Sequence, residues 1–374
     1  METIEKTIET NFIPLEAVHP TDLIIDELKA RGMKRKELAE RLGMKAPNLS
    51  RFISTKENVT PSMALKLEQA LGISAAFWMD LQLNYERNLE AIRQRDEEES
   101  KATQVEAALA VALNLPILFK KLSLDGFMFL SDRLKALYEM FNVTCVEEFL
   151  ALSTAQGCFK KSEKLETENK NLSTWILLAR HACLTSKERL SDYKKGNETL
   201  AASLIATGAN AQNLTENEIK AILAQNGIGY CVVEKFEKTP VDAYSVMIGE
   251  HPFIVVSHRK NNMDMLVFDI LHECGHINKH LTKNVSIVSY NQSLSEASGI
   301  EHEANNFAMD MLIPPDVWAE IVNKGSHSLN IYSVIKVVTH EAEKHGISPT
   351  IAAWRFKYET GVYQIPGFKS RPIR

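Results

Sequence analysis

His272-Glu273-Cys274-Gly275-His276 is the stretch that decides how the C-terminal half of this chain is read. A helix turns about 100° per residue, so His272 and His276 stand one turn apart on one face, where two imidazoles can grip a single Zn²⁺. Glu273 lies beside them as a general base. Met263, Leu266, Val267, Ile270, Leu271 and Cys274 lay one apolar stripe along a helix from about residue 262 to 280. With Met263 at zero the stripe centres near ~10°, while the two histidines fall near ~180° and ~220°, so the pair is expected to face a cleft. A catalytic zinc takes three protein ligands and leaves one position for water, which requires a third ligand from elsewhere in the chain.

Glu301 is the choice for that ligand, with Glu296 and Glu303 as competitors. The stretch Ser295 to Leu312 reads as a helix whose buried face is Ile300, Ala304, Phe307, Ala308, Met311 and Leu312, ended by Pro314-Pro315. His280 continues the histidine face, but a rise of about 12 Å separates it from His272, too far for three imidazoles to converge, and it is read as a surface residue. Thr282 stands where a metzincin needs its third histidine, which excludes that class. Cys274 points to the packed side and reads as an inert thiol. Asp269, one turn before His272, is expected to accept a ring N–H. A donor for an oxyanion is open among His258, Tyr290, His340, His345 and Tyr363.

The second block, Glu301-His302-Glu303-Ala304-Asn305-Asn306-Phe307-Ala308, then Met309-Asp310-Met311-Leu312-Ile313-Pro314, resembles the ImmA/IrrE metallopeptidases, which follow His-Glu-x-x-His with Glu-x-x-Ala-Asn-x-Phe-Ala. The resemblance covers roughly residues 216 to 360, and His345 to Pro349 with Ala352 to Arg355 is similar to the segment that ends such domains. It implies that Glu301 completes the zinc site, that Asn305 supports it, and that the substrate is a protein.

At the other end, Lys34 to Lys56 holds seven basic residues against two acidic ones, a net of +5 within a chain of net charge -5. Glu37 to Gly43 reads as a short helix closed by glycine, and Pro47 to Ile53 as a second with Leu49, Phe52 and Ile53 turned inward. This is a helix-turn-helix pattern. His19-Pro20 before it, and Thr60 to Leu65 and Leu71 to Gln82 after it, are similar to HigA-type antitoxins of the Xre/Cro class, over about residues 12 to 90. The resemblance implies a homodimer that binds operator DNA, with a small toxin as a further partner. Carried onto this chain, Arg35, Lys45 and Lys56 would hold phosphates, while Ala46, Pro47, Asn48 and Arg51 would face the bases. Ala46-Pro47 offers only apolar contact, so hydrogen-bonded readout rests on Asn48 and Arg51. Glu57 replaces a usual basic residue and removes one phosphate contact.

The length of 374 residues suggests two or three domains, and 45% hydrophobic with 24% charged residues is ordinary for a soluble globular chain. No apolar run reaches the length of a membrane span, and the acidic start lacks the form of a signal peptide. Five cysteines without Cys-x-x-Cys fit a reducing cytoplasm. The polar stretch Arg87 to Thr103 lacks proline and glycine and is expected to be helical. Tyr230 to Phe236, Ala243 to Ile248 and Phe253 to Ser257 have strand composition.

The expected fold is multidomain and mainly α: an all-α helix-turn-helix domain (12–90), a helical connecting region (91–215), and an α+β zincin-like domain with a small antiparallel sheet (216–374). The expected function is a DNA-binding regulator with a zinc endopeptidase that cleaves a repressor or antitoxin. The alternative is an antitoxin-like autorepressor whose zinc domain is a sensor or scaffold.

Overall fold

The structure is a computed structural model and describes residues 13–154, 166–236, 239, 241–258, 261–283, 285–289, 299–326, 331–362 and 371–373. It divides into two compact units, Met1–Gln104 and Val105–Arg374.

The first unit is helical. Helix α1 (Pro20–Ala30) starts on a capping box, in which His19 accepts from the backbone of the first turn and Asp22 reaches back to the His19 amide. Helices α2 (Arg35–Arg41) and α3 (Ala46–Ser54) form the expected pair, and Gly43 in the turn between them takes a φ of 66° that a side chain would resist. Helix α4 (Pro61–Leu71) ends on Gly72, and α5 (Ala75–Ala112) carries the polar stretch as continuous helix, as its composition predicts. Leu38 and Ala39 of α2, Leu49, Phe52 and Ile53 of α3, Leu67 of α4 and Trp78 of α5 close one core. The Val59 amide donates to Gln82, which ties the chain after α3 to α5.

The second unit opens with helices α6 (Leu115–Lys121), α7 (Leu130–Phe141) and α8 (Val146–Leu152). Then follow α9 (Glu166–Leu184), α10 (Asn197–Asn210) and α11 (Glu216–Gln225). Strands β1 (Gly229–Val232), β2 (Ala243–Ile248) and β3 (His251–Val256) precede α12 (Met263–Lys279), and β4 (Ile287–Ser289) follows it. Helices α13 (Gly299–Leu312), α14 (Pro315–Ser326), α15 (Ile331–Lys344) and α16 (Pro349–Thr360) complete the unit.

The strands form one sheet in the order β1-β3-β2-β4. It is mixed rather than antiparallel: β2 pairs antiparallel with β3 and β4, but β1 runs parallel to β3. The direction follows from the partner, because β1 lies beside β3 and not beside the strand next in sequence. β4 is a strand that composition alone did not single out.

Alternation along the strands decides what covers each face. Tyr244, Val246, Phe253 and Val255 pack with Trp175, Ile176 and Ala179 of α9. Ala243, Ile254 and Val256 turn to the other side and pack with Met263, Leu266, Val267 and Ile270 of α12. Helices α9 and α10, which the sequence division leaves in the connecting region, thus pack in the cores built around the sheet and α12.

Candidate functional site

Helix α12 offers its apolar stripe to the sheet and its histidine face to α13. The close contact between those two helices is made at Gly275, where an added Cβ would lie 3.1 Å from the Ala304 Cα and 3.1 Å from the Phe307 Cβ. Because Ala304 sits between Glu301 and Asn305, this approach carries both of them onto the histidines. The Nε2 atoms of His272 and His276 stand 3.0 Å apart. Glu301 places Oε2 at 3.2 Å from the first and Oε1 at 3.3 Å from the second.

The histidine pair, expected to face a cleft, is enclosed by protein on that side. His276 and Glu273 are fully buried, and His272 and Glu301 nearly so. The reason is that the face opposite the apolar stripe meets a second helix, which the periodicity of α12 alone does not reveal. Burial also pushes the Cys274 thiol well above its ordinary pKa, consistent with an inert packed cysteine.

Each imidazole has a partner on its far nitrogen. His272 Nδ1 lies 2.9 Å from Asn305 Oδ1, whose amide nitrogen donates to the Tyr358 hydroxyl on α16 at 3.0 Å. The amide oxygen can only accept, so His272 carries a proton on Nδ1, and in the neutral ring Nε2 is left with the lone pair a metal would need. Asp269 does not take the ring N–H expected of it. It lines a small cavity with Asp242, His258, Met265 and Leu266 instead, and acts on His272 through its charge. Arg355 of α16 donates to the carbonyls of Met309 and Ile313 at 2.9 and 2.8 Å, which fastens the end of α13.

The Nε2 atoms of the two imidazoles and the oxygens of the Glu301 carboxylate therefore cluster around one point. The 3.0 Å between the two Nε2 atoms is close to the roughly 3.3 Å spacing of ligand atoms in a tetrahedron with bonds near 2.0–2.1 Å, and each Glu301 oxygen lies 3.2–3.3 Å from one of the two rings. Glu301 Oε1 and Glu273 Oε1 are buried without hydrogen-bond partners among the described residues, where buried polar atoms are ordinarily satisfied. Among the described residues His272, His276 and Glu301 form a group fit to hold a metal ion. Burial opposes ionisation of Glu301, yet in the metal-free chain the two histidines, when protonated, outweigh it and hold its pKa at about 2. Glu273 Oε2 accepts from the buried Ser245 hydroxyl on β2, which leaves Oε1 as its available atom.

Of the competing carboxylates, Glu303 is exposed and holds Lys279 at 3.0 Å, and Glu296 lies outside the described residues. Among the oxyanion candidates, Tyr290 and Tyr363 also lie outside them. His258 and His345 are engaged by Glu216 and Glu320, at 2.9 and 3.7 Å, and His340 is exposed. His280 is not a surface residue. Its Nδ1 lies 3.1 Å from His276 Nδ1 and its side chain is 14% exposed. The signal for it was present as a second i, i+4 step on one face. Ser245 gave only the faint signal of a lone hydroxyl in a buried strand, and Tyr358 gave none.

In the first unit Arg35, Lys45, Pro47, Asn48, Arg51 and Lys56 are all exposed, and Lys45 is the N-cap of α3. Ala46 is half-buried against the core, so its contact with any base is partial. Arg51 Nε pairs with Glu57 at 3.2 Å and Lys56 Nζ with Asp22 at 3.1 Å, so two of the seven candidates are held by acids in the free chain.

Residues 24–78 match the helix-turn-helix family, and residues 229–357 match the IrrE N-terminal-like domain, a peptidase family. No curated protein matches the chain. The first match spans α1 to the start of α5, and the second runs from β1 to α16 and contains the buried His-His-Glu group. The chain thus joins a DNA-binding helix-turn-helix region to a domain of metallopeptidase type. No single described helix is long and apolar enough to cross a membrane.

Proposed function

We propose that this chain is a cytoplasmic, DNA-binding transcriptional regulator with a zinc-dependent endopeptidase domain that cleaves a repressor or antitoxin-type protein. The observation that carries the reading is the convergence of His272, His276 and Glu301 within 4.8 Å, with Glu273 Oε1, which has no hydrogen-bond partner among the described residues, on the helix of the two histidines. Two imidazoles and a carboxylate are a donor set that suits zinc, and as the three protein ligands they leave a position open. Bound there, zinc supplies the Lewis acidity that activates water and polarises a peptide carbonyl. Glu273 takes the proton of the attacking water at Oε1 and passes it to the leaving amine. Ser245 holds the other oxygen of that carboxylate, and Asn305 holds His272 in the tautomer that presents its lone pair.

The helix-turn-helix part is assigned to operator DNA, bound as a homodimer, with Arg35, Lys45 and Lys56 on phosphates and Pro47, Asn48 and Arg51 toward bases. One observation favours a second reading. The depth at which Glu273 and His276 are buried suits an antitoxin-like autorepressor of HigA type, paired with a small toxin, whose metal domain senses rather than cuts. Purified chain is assayed for zinc by elemental analysis, then incubated with a panel of helix-turn-helix repressors and antitoxins. Cleavage by wild type but not by Glu273→Gln, with one zinc in both, supports the peptidase. Zinc without cleavage of any member favours the sensor, and a chain without zinc sinks both.

A further inference from the structure

His276 is anchored differently from His272. Where His272 meets an amide oxygen, the far nitrogen of His276 meets a second imidazole: His280, the C-cap of α12, with Nδ1 at 3.1 Å and the rings tilted 59° at 5.2 Å. The other nitrogen of His280, Nε2, stands 3.6 Å from the Glu303 carboxylate on α13, which Lys279 also grips at 3.0 Å. An imidazole is amphoteric, so by itself it does not say which way the hydrogen bond to His276 runs. A carboxylate beside Nε2 does. It favours the tautomer of His280 with its proton on Nε2, which leaves a lone pair on Nδ1 to accept the proton of His276 Nδ1. His276 Nε2 then carries a lone pair toward His272 and Glu301.

We propose that His280, oriented by Glu303, is a positioning residue that fixes the tautomer of His276 and so completes the metal site. The inference rests on the metal reading above but concerns residues outside the ligand set. Partners of this kind contribute about 10–100-fold to metal affinity. The two arms also differ in kind. The His272 arm ends on a buried tyrosine of α16, while the His276 arm ends on an exposed carboxylate and a lysine, which makes it the arm open to adjustment from the surface.

The test is zinc affinity of the full chain, measured by competition with a chromophoric chelator, with circular dichroism of each metal-free variant as the check on folding. His280→Phe keeps a ring and removes the acceptor, and is expected to bind zinc about 10–100-fold more weakly. His280→Asn returns an acceptor close to the position of Nδ1 and is expected to recover most of that loss. Glu303→Gln, at an exposed position, is expected to weaken zinc several-fold with the fold unchanged, and carries the test if His280→Phe does not fold. Nitrogen-15 spectra of labelled histidines should show His276 as the Nδ1–H tautomer in wild type and mixed tautomers in His280→Phe. Equal affinity in wild type, His280→Phe and Glu303→Gln overturns the proposal and leaves the metal site standing. So does an equal loss in His280→Phe and His280→Asn, which is the mark of packing alone. Wild type that binds no zinc overturns the site and the proposal together.

Discussion

Gly275 of α12 and Ala304 of α13 mark the close approach of the two helices, with 3.1 Å left between the place of a glycine Cβ and the alanine Cα. The neighbour is helix backbone rather than the end of a flexible side chain, so it cannot yield locally. Gly275→Ala is therefore expected to push α13 outward and destabilise the unit by about 1–3 kcal/mol, although alanine is the better helix former. The shift also moves Glu301 and Asn305, so zinc content should fall. Urea unfolding of the metal-free chain and elemental analysis check both effects, and an unchanged midpoint would contradict the tight packing.

The pH response has opposite signs with and without metal. In the metal-free chain burial disfavours the His272 cation, but Glu301, then Glu273 and Asp269, outweigh it and raise the pKa above 6.5. A raised histidine contributes stability that is present below 6.5 and lost as pH rises through the raised value. Glu301, held at about 2, contributes stability present above 4.5 and lost as pH falls through that low value. The melting-temperature difference between wild type and His272→Ala, both metal-free, should thus be larger at pH 6 than at pH 8, which isolates His272 from His19, His181 and His280, whose lowered pKa values act with the opposite sign. Zinc needs neutral imidazoles, so its affinity should fall over the same descent. Melting curves and chelator competition across that range read the two slopes, and slopes of the same sign would refute the arrangement.

Ser245→Ala removes the donor to Glu273 Oε2 without touching a ligand. Zinc content should stay at the wild-type level while cleavage of a responsive substrate falls by about tenfold, within the usual contribution of a positioned acid or base. Ser245→Thr, which keeps a hydroxyl, should retain more activity than alanine if the methyl is accommodated. Full activity in Ser245→Ala would show that Glu273 needs no such support.

On the DNA side, Arg51→Ala is expected to lower discrimination between operator and random DNA, at about 1–3 kcal/mol for a base-reading contact, whereas Lys45→Ala weakens both alike. Glu57 holds Arg51 at 3.2 Å in the free chain, so Glu57→Gln should tighten binding to both DNAs by releasing the guanidinium and removing a negative charge. Fluorescence anisotropy at two salt concentrations checks all three. Equal loss on both DNAs for Arg51→Ala would remove it from the base-reading face.

Much of this protein was legible in its sequence where the governing geometry is local. The register of His272, Glu273 and His276 follows from 3.6 residues per turn, and the apolar stripe from Met263 to Cys274 is the face of α12 that packs in the core with the sheet. The turn glycine Gly43 and the inward Leu49, Phe52 and Ile53 are equally local signals, and α2 and α3 follow them. The role of His280 is hidden from its distance to His272, because its contact is with the nearer His276, one turn away. The direction of β1 was not legible, since a strand takes its sense from the partner it meets across the sheet.

What the sequence determined by itself was the two helical patterns, their charges, and the pair of imidazoles on one face. Only the tertiary structure decided that this face is buried and that Ser245, Tyr358 and His280 stand behind the groups that matter. The physical reason is that periodicity describes one helix about its own axis, whereas these contacts depend on how near a second helix can come, and here that distance is set by a glycine meeting an alanine.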